Sequence, residues 1–106
     1  MASGQTQGPD TLRSRSAYVA SLTKLYAAAE RLIQAKGTSK EALELYEKFK
    51  KTFVKYIEAH DLALEQSAHP EESLIPSHQT NVKRHNDNCD ILLGYIKETT
   101  TYSRLL

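Results

Sequence analysis

The sequence has no tryptophan, two phenylalanines and a single cysteine, and only four glycines and three prolines among its 106 residues. A single cysteine excludes a disulfide within the chain, and this usage fits the reducing conditions inside a cell. The few glycines and prolines lie mostly outside the periodic stretches, which argues against a β-sandwich with its many turns. We therefore expect an intracellular, cytoplasmic, helical protein with a core of Leu, Ile, Val and Tyr.

The sequence also lacks long apolar runs and a strong charge of either sign. No window approaches the roughly 18 apolar residues of a membrane span, and the first ten residues have no apolar centre that would make a signal peptide. The net charge is +1, which gives no strong overall attraction to nucleic acid or to membrane surfaces. The charge is uneven, however, because residues 11–36 carry five bases and one acid, a local charge of +4.

The short motifs that often mark an enzyme are absent as well. The sequence contains no glycine-rich phosphate loop, no G-x-S-x-G, no H-E-x-x-H and no C-x-x-C. These absences predict a protein that is not an enzyme and that needs no cofactor.

Apolar residues recur at alternating intervals of three and four along three stretches of the chain. This spacing places them on one face of a helix and predicts amphipathic helices over residues 11–36, 39–67 and 76–99. Residues 1–10 are expected to form a flexible tail and residues 101–106 a frayed C-terminus. The remaining residues, 11–100, form one domain.

The residues between these stretches predict how the helices connect. Gly37 is expected to take the left-handed backbone conformation that ends many helices. Thr38 and Glu41 form a capping box that starts the second helix at once, so the two helices make a tight antiparallel hairpin. The third helix either begins near Pro76, which we favour because proline suits the first helical position, or begins at Pro70 and is kinked. The predicted fold class is all-α, an antiparallel three-helix bundle or a helical hairpin plus a third helix, with coiled-coil-like packing.

Metal binding is one alternative that the spacing of histidines allows. His85 and Cys89 stand four residues apart on the third helix, so both could reach one zinc ion. His78 lies on the same face, and His60 lies on the facing stripe of the second helix. The competing interpretation is that these are partly buried polar residues, with the cysteine acting as a small apolar filler, and we assign no metal on this signal alone.

Basic residues off the apolar stripes are a second alternative, because several cations on one side of a helix can contact phosphates. They are Arg13, Lys24 and Arg31 of the first helix and Lys48, Lys51 and Lys55 of the second. An ordinary solvated helix surface is the competing interpretation, given the small net charge.

Apolar residues outside the main stripe of the second helix predict a surface for association. Leu45, Val54 and Leu62 are expected to form a second apolar strip on its back. A long helix with two apolar strips is typical of domains that associate through helices.

The sequence contains Arg15-Ser16-Ala17-Tyr18-Val19, a hairpin from Gly37 to Leu43, and the stretch from Phe53 to His60, followed by a third helix. This organisation resembles the N-terminal helical segment of Gag-like polyproteins from BEL/Pao-type retroelements. The resemblance covers roughly residues 12–96. The resemblance implies an assembly or scaffold role and no catalytic residues.

Taken together, these patterns predict a non-enzymatic helical module for protein–protein interaction or self-assembly. Its partner is expected to be a second copy or a helix of another protein. The alternatives are binding of nucleic acid or an anionic surface through the basic residues, and metal binding within a helical domain.

Overall fold

The computed structural model describes residues 3–67 and 70–105, and the side chains of residues 12–67 and 74–100. The described residues form three helices, α1 (Ser3–Gln34), α2 (Ser39–Gln66) and α3 (Pro70–Leu105), which confirms the predicted all-α, three-helix class. α2 packs against both of the other helices, whereas α1 and α3 touch each other far less. The bundle is elongated, at 64 × 25 × 18 Å. Within the described residues, no helix combines the length and the apolar character that crossing a membrane requires.

The core is a row of side chains along the middle of the bundle. Its fully buried large members are Phe49 and Tyr56 of α2 and Leu92 of α3. Tyr26 of α1 meets Phe49 edge to face, with ring centroids 5.1 Å apart. Burial of each such side chain stabilises the fold by about 1.5–3 kcal/mol. The predicted apolar stripes are therefore the surfaces that the three helices bury against one another.

The turn between α1 and α2 corrects one expectation about its backbone. The left-handed residue is Lys36, with φ 57°, and not Gly37. The amide of Lys36 donates to the carbonyl of Ile33 at 3.0 Å, and the amide of Gly37 donates to that of Leu32 at 2.8 Å, a Schellman ending shifted by one residue. Gly37 is required for space instead, because a Cβ there would lie 2.8 Å from the Cγ of Leu32.

The start of α2 confirms the predicted capping box. The hydroxyl of Thr38 accepts from the amide of Glu41 at 3.1 Å, and the carboxylate of Glu41 accepts from the amide of Thr38 at 2.9 Å. The hydrogen bonds that the carboxylate accepts from the amide and the hydroxyl of Thr38 lower the pKa of Glu41 below its usual value. Since the two helices are joined through four residues, 35–38, they must run antiparallel.

α3 begins at Pro70 and not near Pro76, which differs from the favoured prediction. Pro76 lies inside the helix, where it lacks the amide that would otherwise donate to the carbonyl four residues earlier. The first turns hold because Leu74 is buried, and because Arg15 of α1 donates to the carbonyl of Leu74 at 3.4 Å and to Ser77 Oγ at 2.7 Å. These tertiary contacts outweigh the tendency of proline to interrupt a helix.

Both ends of the bundle contain more helix than predicted. α1 starts at Ser3, within the expected tail, and residues 1–2 lie outside the described residues. Extending an existing helix costs far less than starting one, which favours these added turns. α3 reaches Leu105, and residue 106 lies outside the described residues. The hydroxyl of Thr99 donates to the carbonyls of Tyr95 and Ile96, which ties this β-branched residue into the helix.

Candidate functional site

A buried arginine joins all three helices at one end of the bundle. Arg15 of α1 is 7% exposed, and its Nε donates to Nδ1 of His60 on α2 at 3.0 Å. Its Nη2 donates to Ser77 Oγ on α3 and, at 3.4 Å, to the hydroxyl of Tyr56 on α2. Its guanidinium carbon also lies 5.5 Å from the centre of the Tyr56 ring. We call this group, with His78 and Asn81, the polar layer.

The two histidines of the polar layer stack on each other. The rings of His60 and His78 have centroids 3.8 Å apart and planes 9° from parallel. Tyr56 is the hub, because its hydroxyl also bonds with Nδ1 of His78 at 2.9 Å and accepts from Asn81 at 3.1 Å. Burial lowers the pKa of both histidines, and the charge of Arg15 lowers them further; His78 adds to the effect on His60. A neutral His60 is what the geometry requires, because its Nδ1 accepts a hydrogen bond from an arginine.

A second buried group lies farther along α3. His85 stacks on Phe53 with ring centroids 3.8 Å apart and planes 3° from parallel. Its Nδ1 bonds with the hydroxyl of Tyr26 at 2.7 Å, and its Nε2 lies 3.3 Å from Sγ of Cys89. Next to this group, Arg84 donates to Thr23 of α1 at 2.9 Å. The group therefore connects the three helices as the polar layer does.

The contact between Cys89 and His85 does not activate the thiol. Burial raises the pKa of Cys89, and the nearby charge of Asp90 raises it further. Burial also lowers the pKa of His85 and raises that of the Tyr26 phenol. A nucleophilic cysteine needs a lowered pKa, usually beside a cationic group. This environment favours the neutral thiol, which suits a packing role.

The weak metal candidates separate into two places. His60 and His78 lie in the polar layer, whereas His85 and Cys89 lie in the second group. Two parallel stacked rings direct their in-plane lone pairs side by side, so they do not converge on one ion. Among the described residues, no group of three or more His, Cys, Asp or Glu side chains is arranged to hold a metal. The polar layer is instead a set of mutually satisfied hydrogen bonds that fixes how the helices are aligned.

The predicted basic residues all lie on the surface. Arg13, Lys24 and Arg31 form one row on α1, pointing away from the core, because their spacings of 11 and 7 residues return to the same side of a helix. Lys48, Lys51 and Lys55 lie on one side of α2. In the described part of the chain, no ion pair involves Lys24, Arg31 or these three lysines.

The predicted apolar strip does not form as one surface. Leu45 is half-buried and packs against the core, whereas Val54 and Leu62 are 57% and 50% exposed. The reason is geometric, since nine residues on an α-helix turn a side chain by about 180° and place Leu45 opposite Val54. The other large apolar side chains of α2 and α3 that are at least 37% exposed are Leu43, Ile75, Ile91 and Leu93.

Arg15 is the central residue of the polar layer that sequence reasoning missed. The sequence indicates it only as one of five bases in residues 11–36 and as the first residue of the stretch Arg15–Val19, yet it lies on the apolar stripe of α1, four residues before Val19 and seven before Leu22. A cation at a stripe position signals a buried polar contact.

Comparison with known proteins finds no matching family model, no similar curated protein and no similar solved structure.

Proposed function

We propose that this chain is a non-catalytic helical module for self-assembly and protein interaction, with a scaffold role such as that of the Gag-like segment it resembles. The observation that carries the proposal is the set of large apolar side chains that the bundle leaves on its outer surface. They are Leu12 of α1, Leu43, Val54 and Leu62 of α2 and Ile91 and Leu93 of α3, each at least 41% exposed. The proposed location is intracellular, which the single cysteine, with no partner in the sequence for a disulfide, supports.

The shape of the bundle supports the same proposal. Single exposed apolar residues are ordinary on any protein. Here they occur on long helices of a rod that measures 64 Å by 25 Å by 18 Å, so they lie along extended, accessible faces. A bundle of this size also has a modest core, and contact with a partner buries further apolar surface.

The test is the mass of the protein measured by light scattering after size exclusion, over a wide range of concentrations. We expect the mass to rise above that of one chain as the concentration increases. Val54→Ser and Leu62→Ser should move the rise to higher concentration, whereas Ile75→Ser, in the first turns of α3 and outside this set, serves as the matched control. A single-chain mass at every concentration would remove self-assembly as the function.

Binding of an anionic polymer is the second candidate, and the row Arg13, Lys24 and Arg31 favours it. Three aligned cations on an exposed helix can contact successive phosphates. The acidic residues of α2 weaken this candidate, because that helix carries six acids against five bases. Titration with single-stranded and duplex oligonucleotides at several salt concentrations tests it. No binding, or an affinity that does not fall with added salt, would exclude it.

A further inference from the structure

The outward face of α1 carries a regular row of positive charge. Arg13, Lys24 and Arg31 are exposed and are separated by 11 and 7 residues. Those spacings are three turns plus about 20° and two turns minus about 20°, so the three side chains follow one line along the helix. The exposed residues between Arg13 and Lys24 on this side are small, namely Ala17 and Ala20. A second helix can therefore approach this face closely.

The outward face of α2 carries a row of negative charge with the same spacing. Glu47, Glu58 and Glu65 are exposed and are also separated by 11 and 7 residues. Glu47 has a surface ion pair with Lys50, with Nζ and the carboxylate oxygen 3.5 Å apart. Neither Glu58 nor Glu65 has an ion pair within the described residues. Val54, which is 57% exposed, and the exposed Lys51 lie between the first two acids.

We infer that the positive row of α1 binds the negative row of α2 in a second copy of this chain, with the two helices parallel. In that register each acid is 34 positions after its partner, so Arg13 meets Glu47, Lys24 meets Glu58 and Arg31 meets Glu65. The same register places Val54 beside the exposed Ala20. An antiparallel arrangement reverses the order of spacings and aligns only part of the rows. The inference rests on the proposed self-assembly and names its contact.

Only a second copy can supply this contact. Within one chain α1 and α2 are antiparallel and already bury their inner faces on each other, while both charged rows point away from the core. Each chain therefore presents one row of each sign to neighbouring copies, and the contact can repeat from copy to copy. Exposed ion pairs are individually weak and are screened by salt, so the association depends on aligning several at once.

Charge reversal on each row, followed by mixing, tests the inference. Lys24→Glu places two acids opposite each other, and Glu58→Lys places two bases there, so each variant alone should self-associate at least about tenfold more weakly. In an equimolar mixture every contact between unlike variants regains opposite charges. Sedimentation velocity should then show assembly restored to near the wild-type level. Lys97→Glu, on the exposed surface of α3, is the matched control and should behave as wild type.

The outcomes separate this inference from the proposed function. If wild type assembles but the reversals change nothing, or mixing restores nothing, the α1–α2 contact is overturned while self-assembly stands. If wild type remains a single chain at every concentration, both the α1–α2 contact and self-assembly are overturned. The charged rows would then bind a different partner, such as an oligonucleotide. Circular dichroism of each variant confirms that the helices are intact. Weaker single variants with recovery in the mixture would establish the register.

Discussion

The imidazole rings of His60 and His78 lie face to face, with centroids 3.8 Å apart, although the residues belong to different helices. Two neutral rings stack favourably, but two imidazolium ions at this distance would repel each other and the guanidinium of Arg15. Protonation of these histidines therefore weakens the polar layer. Among the described residues, the exposed Asp61 is the acid whose charge favours protonation of these histidines, and burial outweighs it.

Acidification should destabilise the bundle. Burial lowers the pKa values of His60, His78 and His85 in the folded state below the ordinary value of 6.5. The unfolded chain then binds more protons than the folded chain below about pH 6.5, so the free energy of unfolding falls as the pH decreases from there. Urea denaturation at a series of pH values between about 7.5 and 5 measures this fall, in the range where carboxylates contribute little.

His78→Phe provides the internal comparison for this prediction. Phenylalanine keeps a ring beside His60 but does not titrate, so the stability of the variant should depend less steeply on pH. Lys83→Ala, which removes an exposed side chain with an ion pair to Asp87, should leave the pH dependence unchanged. A wild-type stability that is flat across this range would show that the histidines are not held neutral by folding.

Arg15→Ala should destabilise the fold by about 2–4 kcal/mol, because it removes a buried side chain that hydrogen-bonds to α2 and α3 and leaves their polar groups without it. Arg31→Ala, on the exposed face of the same helix, is the control and should change stability by less than about 0.5 kcal/mol. Both values come from denaturant melts at neutral pH. Equal effects of the two substitutions would contradict the central role of Arg15.

The features of this fold that local sequence determines were predictable, and those that depend on distant residues were not. The three stripes and the capping box of Thr38 and Glu41 involve residues within one or two turns, so spacing alone finds them. Arg15 and Ser77 are 62 positions apart, and nothing local to either residue indicates that they meet. Leu45 was grouped wrongly for a different reason. Its position outside the main stripe does not say which side of α2 it occupies, and the helical angle between residues places it on the side that packs against the core.

Substitutions at two adjacent residues of the α1–α2 turn should change the free energy of unfolding in opposite directions. Lys36→Gly should raise the free energy of unfolding by about 0.5–1 kcal/mol, because glycine adopts φ 57° without the strain that a side chain incurs. Gly37→Ala should lower it by about 1–3 kcal/mol, because the new Cβ would lie 2.8 Å from Cγ of Leu32 and 3.2 Å from the carboxylate of Glu41. Thermal and urea denaturation of both variants tests the pair. A loss of stability in Lys36→Gly would place the left-handed residue elsewhere.

Pro76→Ala should stabilise the protein by about 1–3 kcal/mol, since it restores an amide that donates to the preceding turn of α3 and removes a clash of the proline ring. Pro76→Gly restores the same amide but adds the flexibility of glycine, so its gain should be smaller by about 1 kcal/mol. Hydrogen exchange should show the gain as slower exchange of amides around residues 74–80. If Pro76→Ala is instead less stable than wild type, Pro76 is not an interior residue of the helix. In that case α3 begins at Pro76, and the residues before it form a turn, stabilised by the hydrogen bond from Arg15 to Leu74.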